Sequence, residues 1–410
     1  MGPADDEVGK YLPRPVKIGI VSNLYPPVVR GGAEQIARRV ALELHGRGHD
    51  VFVVSTQKDG AAMPRVTESN VERVYRYRPT NFYHSLDDHR HAFPTRLAWH
   101  LVDLFARQPG RALGAVLDKE KPDVVLTHNL KGFGMRCVEA IRSRGIRHIH
   151  TLHDVQLAIP SGLVIYGEEK SLMNDSAPQR WYQREMQRVV GSPDVVVSPS
   201  KFLADFYVSR GFFPRSRVEI LPNPAPAIQP PPRGERRVGP LRLLFAGQLE
   251  THKGIQFLLR ALNDLDVPFE LHVAGEGTLM SFVNGWANRD ARVVYHGFCS
   301  LDNLVKLFLI SDAVVVPSLC YENSPTVIYE AFKTGVPVVA ADIGGVGELV
   351  RDGENGYLFR PGDADGLRAS LRKLATGEGK FWERQEEIRA TVEGFSLPAY
   401  VERLEGLMRR

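Results

Sequence analysis

Short valine-rich runs recur along this chain with room for one helix between each pair, and that alternation constrains the fold more than any other feature of the sequence. The first run, residues 16–21, leads through Ser22-Asn23 and Pro26-Pro27 to Gly31-Gly32-Ala33-Glu34. An apolar series at helical spacing follows through Ile36, Val40 and Leu44. Gly46 and Gly48 close it, and residues 51–55 read as the next strand. A strand, a helix and a strand in that order are the building block of a parallel sheet. Residues 123–127, 147–152 and 194–198 repeat the pattern. A proline-rich segment then breaks it, from Leu221-Pro222-Asn223-Pro224 to Pro230-Pro231-Pro232 and Arg233-Gly234. The alternation resumes at 241–247 and continues at 270–274, 293–295, 313–317 and 336–341, with a last helix predicted over 398–410.

A chain of 410 residues exceeds what one hydrophobic core ordinarily serves. The expected class is α/β, with two Rossmann-like, doubly wound domains facing a central cleft. They span 14–225 and 241–390, joined by a linker over 226–240; a C-terminal segment, 391–410, carries a helix back to the first domain. Uninterrupted apolar strands are expected where helices cover both sheet faces. Ligands of such sheets bind beyond the carboxyl ends of the strands.

The three cysteines, Cys137, Cys299 and Cys320, lie far apart without metal-ligand spacing, so reduced thiols and a cytoplasmic location are expected. Residues 1–10 are acidic and polar, unlike a signal peptide, and Asp6 breaks the myristoylation pattern. No apolar run is long enough to cross a bilayer. A net charge of +4 without a recognisable motif gives no reason to expect nucleic acid.

Residues 73–111 stand apart as a basic and aromatic insert. Arg73, Arg76, Arg78, Arg90, Arg96, Arg107 and Arg111 interleave with Tyr75, Tyr77, Phe82, Tyr83, Phe93, Trp99 and Phe105. One reading is a surface for anionic headgroups or a lipid-linked acceptor, adding a peripheral contact at the inner face of the membrane. The other is an amphipathic helix packed on the sheet through Leu97, Leu101, Leu104 and Phe105, with its arginines in solvent.

The strongest local pattern is Tyr321-Glu322-Asn323-Ser324-Pro325-Thr326-Val327-Ile328-Tyr329-Glu330-Ala331, after the strand 313–317. Ser324 is expected to cap a helix that starts at Pro325 and ends at Gly335. The free amides and dipole of that helix N-terminus favour an anion such as a diphosphate. Glu330 lies about 7–8 Å along the axis from Pro325, at about 1.5 Å per residue. Glu322 and Glu330 thus flank one anion site at different depths. Carboxylates would not hold a phosphate, but they accept strongly from sugar hydroxyls. The competing reading is two solvated charges at a helix end.

Glu322 and Glu330, with seven residues between them, resemble the E-x7-E motif of retaining glycosyltransferases of the GT-B fold. The run through Glu330-Ala331-Phe332 and Gly335-Val336-Pro337-Val338-Val339-Ala340 is similar to family 4 of that class. Gly31-Gly32-Ala33-Glu34 resembles its glycine loop, His153-Asp154 its cleft histidine, and Lys253-Gly254 after Phe245-Ala246-Gly247 its lysine-glycine pair. Val273-Ala274-Gly275-Glu276-Gly277 and His296-Gly297-Phe298 resemble later donor-domain loops, so the likeness covers nearly the whole chain.

The resemblance implies a nucleotide-sugar donor, a UDP- or GDP-sugar, bound mainly by the second domain. The acceptor, a saccharide, lipid-linked or small molecule, would sit in the first. Glu330 would accept from the ribose hydroxyls, and Glu322 and His153 would contact the transferred sugar. Asn323, Ser324, Pro325 and Thr326 would cradle sugar and diphosphate through their backbone, together with the donor-side loops at Gly31, Gly32, Gly275 and Gly297. Lys253 would neutralise the leaving diphosphate. His128, after the strand 123–127, and Asp154 are expected on the acceptor side. One departure stands out: family members usually carry arginine where this chain has Gln248, which removes a cation from the donor site.

No cofactor and no metal is required by this reading. Asp363-Ala364-Asp365 has D-x-D spacing but reads as a helix cap and first-turn acid, and no acidic partner accompanies His148, His150 and His153. Three alternatives stay open: a nucleotide-sugar epimerase, a phosphorylase (for which no pyridoxal lysine is assigned), and a nucleotide-sugar-binding protein with weak or no turnover. The first loop, 22–32, is too long and proline-rich for a dinucleotide dehydrogenase.

Overall fold

A computed structural model describes residues 15–29, 31–68, 72–172, 174–233 and 238–409. The acidic start, 1–10, and the linker residues 234–237 lie outside the described residues. Among the described residues the first sheet has eight strands, in the order Arg65–Glu68, Arg73–Tyr77, Asp50–Thr56, Lys17–Val21, Val124–Thr127, Arg147–Thr151, Val195–Ser198 and Arg217–Ile220. All neighbours are parallel except the edge pair Arg65–Glu68 and Arg73–Tyr77. The second sheet is parallel throughout, in the order Val293–Gly297, Phe269–Ala274, Leu241–Ala246, Ala313–Val316, Val338–Ala341 and Gly356–Phe359.

In both sheets the strand order reverses beside the first strand. Lys17–Val21 pairs with Asp50–Thr56 on one side and Val124–Thr127 on the other; Leu241–Ala246 pairs with Phe269–Ala274 and Ala313–Val316. The loops leaving such neighbours diverge to opposite faces and open a crevice at the carboxyl ends. Those loops carry 22–29, Gly31 and His128 in one sheet, and 247–254 and 317–325 in the other.

The strands are buried on both faces, as their composition requires: Ile18, Ile20, Val125, Val196, Leu243, Val314 and Val339 are fully or almost fully buried. The C-terminal helix, Leu397–Arg409, returns to the first sheet, where Tyr400, Val401 and Leu404 pack with Ile36, Val40 and Leu44 of helix Gly32–Gly46. Arg147 donates to the carbonyl of Leu407 at 2.8 and 3.1 Å, tying that helix to a central strand. Asp363 caps helix Ala364–Ala375 by accepting from the N–H of Gly366 at 3.0 Å.

Four strands escape the sequence reading: Arg65–Glu68, Arg73–Tyr77, Arg217–Ile220 and Gly356–Phe359. All are edge strands or next to an edge; in the first three, arginine and other polar residues interrupt the apolar run, while Gly356–Phe359 is a short apolar run of four that opens on a glycine. The basic segment 73–111 therefore begins inside the sheet. Tyr75 and Tyr77 are buried, and Arg76 donates to the carbonyls of Tyr25 and Pro26. Helix Phe93–Phe105 packs through Trp99 and Leu104, while Leu97, Leu101 and Phe105 are 53%, 40% and 39% exposed. The expected packing stripe is thus rotated, because Trp99, whose Nε1 donates to the Tyr83 carbonyl at 2.8 Å, sets which side faces the domain. No helix among the described residues is long and apolar enough to cross a membrane.

Candidate active site

The two crevices meet in a pocket of about 250 Å³ lined by Gly31 and Gly32 from the first domain and by Gly247, Gln248, Lys253, Ser318, Glu322, Pro325 and Thr326 from the second. A Cβ on Gly32 would lie 3.1 Å from Cγ2 of Thr326, so a side chain there would crowd this gap between the domains and push the Thr326 methyl aside. The N–H of Gly31 donates to the Glu34 carboxylate at 2.8 Å, which anchors the loop to its own helix.

The helix behind the pocket is Thr326–Lys333, with Gly335 just beyond its end in the left-handed region. Ser324 does not cap it: Pro325 keeps an extended ψ of 119°, so the helix starts one residue later, and the Ser324 hydroxyl pairs with that of Tyr329 at 2.7 Å. Among the described residues no side chain caps the helix at its N-cap position, Pro325.

Glu322 and Lys253 form an ion pair at 2.7 Å, and the Ser318 hydroxyl donates to the same carboxylate oxygen at 2.7 Å. Burial pushes the Glu322 carboxyl up, but Lys253 and Ser318 outweigh it and leave it below the ordinary value. Burial likewise depresses Lys253, and Glu322 more than restores it, so both groups are charged. Ser318 had no motif to announce it; its place two residues beyond a strand end is the only local signal.

Glu330 differs. Burial pushes its carboxyl up to about 7, against the opposing charge of Arg39 on helix Gly32–Gly46. Arg39 donates to the carbonyls of Pro224 at 3.2 Å and Ala225 at 2.6 Å, which holds the last residues before the linker against helix Gly32–Gly46. Gly275 donates its N–H to the carbonyl of Gly297 at 2.8 Å on the neighbouring loops; neither residue lines the pocket itself.

From the first domain, the His153 carbonyl accepts from Asn323 Nδ2 at 3.0 Å, directly beside Glu322. His128 is not at the cleft edge. It is 2% exposed and bonded to His153, because its N–H continues the ladder to the Val21 carbonyl and keeps the residue inside the sheet layer. Asp154 accepts from the N–H of Gln156 at 2.8 Å, and burial raises it to about 6. His148 and His150 both bond the Thr127 hydroxyl at 2.8 Å.

Two further links join the domains at the site. Residues 164–166 pair with 319–321: Tyr166 donates its N–H to the Leu319 carbonyl at 2.8 Å, and Tyr321 to that of Val164 at 2.9 Å. The Glu348 carboxylate accepts from the N–H groups of Lys201 at 2.7 Å and Phe202 at 2.8 Å. Neither pairing has a motif.

Two parallel-sheet domains with facing switch points and a pocket between them define the GT-B class of glycosyltransferase. Comparison with known proteins agrees. The model described as "Glycosyltransferase Family 4" matches residues 30–227, and the model "Glycosyl transferases group 1" matches residues 231–392. The chain is 29% identical over 372 residues to the glycogen synthase of Mycobacterium tuberculosis, covering 88% of this chain and 86% of that one. Sucrose-phosphate synthase from Thermosynechococcus elongatus matches with a TM-score of 0.74 at 18% identity, over 96% of this chain and 98% of the other. HepE from Anabaena, solved with UDP and glucose, matches with a TM-score of 0.67 at 18% identity, over 96% and 99%. The chain belongs to family 4 of the glycosyltransferases, and it is a transferase enzyme.

Proposed function

We propose that this enzyme moves a sugar, with retention of anomeric configuration, from a UDP- or GDP-sugar to a hydroxyl of a saccharide, lipid-linked or small-molecule acceptor. The observation that carries the reading is the charged Lys253–Glu322 pair beside an uncapped helix start, closed over by Gly31 and Gly32. A diphosphate fits between the Lys253 ammonium and the first-turn amides, with Glu322 left to bind a sugar hydroxyl. Glu330, deeper along the helix, accepts from the ribose. His153 meets the transferred sugar from the opposite domain. The UDP and glucose held by HepE, a protein of the same fold, support a nucleotide-sugar donor.

Front-side displacement follows from this placement. The bond from the anomeric carbon to the phosphate oxygen breaks, and the acceptor oxygen joins the anomeric carbon on the same face. The hydroxyl proton passes to the leaving phosphate. Lys253 and the helix amides stabilise the charge that develops there. Glu322 is occupied by Lys253 and Ser318 and is poorly free to act as a nucleophile.

Thermal shift with UDP, GDP, ADP and their sugar conjugates tests the donor assignment, since a ligand of the native state alone raises apparent stability. The expected result is stabilisation by one nucleotide family that Glu330→Ala abolishes; no shift by any of them at high concentration would remove the reading. The pH trend has a definite sign. Glu330 in the empty site lies near 7, above its ordinary 4.5, so ionising it there costs free energy. A ribose that needs the carboxylate lowers that value. Donor affinity should therefore rise with pH by up to about tenfold per unit below 7 and level off above it, a trend Glu330→Gln should flatten. The empty enzyme's own stability moves the opposite way, being lost as pH rises from the unfolded value through about 7.

Gln248 favours weak donor binding as a second reading. Lys253 is the one cationic side chain among the described residues lining the pocket. Gln248→Arg should then tighten donor binding by about three- to tenfold, the scale of one added charge-assisted hydrogen bond in a partly open site. Unchanged affinity in titration calorimetry would show that the missing arginine is compensated.

A further inference from the structure

His128 and His153 make one hydrogen bond with each other. Nδ1 of His128 lies 2.9 Å from Nε2 of His153, with ring planes 27° apart. Burial pushes His153 down to about 4; burial, with His153 and His150 adding to it, holds His128 well below the ordinary imidazole value. Both rings are therefore neutral near pH 7. Two neutral imidazoles joined this way hold a single proton between them, and its position sets both tautomers. If His128 donates, Nδ1 of His153 carries the remaining proton and can only donate. If His153 donates, its Nδ1 is bare and can only accept.

The other nitrogen of His128 decides between these. Nε2 is sealed from solvent and has no partner among the described residues. His128 borders a cavity with about 10 Å³ of room for a water centre, shared with Lys131, His153, Asp154 and Tyr207. That is enough for one water, and an unpaired buried nitrogen is costly without one. Asp154 is the carboxylate on this cavity and is ionised at neutral pH, and Lys131 is engaged by the Pro160 carbonyl at 3.3 Å. A carboxylate lining the same cavity as His128 favours an N–H over a bare nitrogen on that side of the ring. One water that accepts from Nε2–H and donates to Asp154 satisfies both groups.

We infer that His128 is a positioning residue: with its proton on Nε2 it accepts from Nε2–H of His153, so that His153 offers a bare Nδ1 to the substrate. His153 then recognises a hydroxyl, which can donate to it, and disfavours a carboxylate or carbonyl at the same place. This rests on the reading that sets His153 against a sugar.

The tautomer is read from ¹⁵N NMR of the full chain labelled at histidine, with His153→Gln assigning the resonances. Wild type should show a pyridine-type Nδ1 and a pyrrole-type Nε2 at His153. His128→Phe removes the acceptor: the His153 tautomers should mix, and kcat should fall about tenfold, the scale of one hydrogen bond, with little change in donor KM. His128→Asn places a carbonyl near the lost Nδ1 and should restore the wild-type tautomer and much of the rate. A pyrrole-type Nδ1 in wild type, or an unchanged His153 spectrum in His128→Phe, would overturn the inference. Should the Phe variant not fold, the wild-type and Asn spectra decide. Failure of the transferase reading would show separately, as no donor binding, with the tautomer still measurable.

Discussion

Lys253→Met should lower kcat by about 10²- to 10³-fold, the loss expected when one preorganised group at a developing negative charge is removed. The substitution keeps the aliphatic stem, so packing is little changed, but the 2.7 Å partner of Glu322 disappears. A buried carboxylate without its cation is costly, by about 3 kcal/mol, and Glu322 should rise towards protonation. Stability and turnover can be told apart with the double variant Lys253→Met/Glu322→Gln. Removing both charges should return most of the stability and none of the turnover. Steady-state kinetics with the nucleotide sugar, beside thermal unfolding of wild type, Lys253→Met, Glu322→Gln and the double variant, checks this. A kcat within about threefold of wild type in Lys253→Met would mean that the first-turn amides carry the leaving charge alone.

The second large effect concerns Gly254, directly after that lysine. It has φ +77°, and a Cβ there would lie 1.9 Å from the carbonyl oxygen of Pro317, a backbone atom that cannot swing aside. This close crossing of two loops is what brings Lys253 level with Ser318 and Glu322. Gly254→Ala combines a left-handed alanine with a backbone clash and should cost about 3 kcal/mol or more. At about 2–4 °C per kcal/mol the melting point should fall by about 6–12 °C. Turnover of the surviving folded protein should drop as well, since the loops must separate. Gly46→Ala is the control. It ends a helix with nothing within 4 Å of the added Cβ, and should stay within about 1 kcal/mol of wild type. A Gly254→Ala enzyme with normal melting and normal kcat would show that the crossing relaxes freely.

The site was legible in the sequence to the extent that it is local. Glu322 lies in the loop just before helix Thr326–Lys333 and Glu330 lies within that helix, so their spacing in the sequence already separates them along it. Gly254 marks a close approach to the backbone of Pro317, and Gly32 a tight contact with the Thr326 side chain. Ser324 was misread because capping preferences favour serine, while the extended backbone of Pro325 moved the helix start. His128 was placed at the cleft because it follows a strand end; its side chain instead turns inward to His153, 25 residues away. Arg39 and Glu348 left no trace, since each meets its partner across the domain boundary.

By itself the sequence determined the alternation of the central strands and helices, the burial of those strands and the short stretch from Glu322 through the helix that carries Glu330, because each depends on neighbours within a few residues. The order of strands, the switch points that set the crevices against each other, the charge pair of Lys253 with Glu322 and the burial of His128 were decided only in the tertiary structure. Those features depend on which segments meet after the chain has crossed the sheet. No local periodicity records that meeting, and burial and opposing charges, acting at distances of a few ångströms in space, select it.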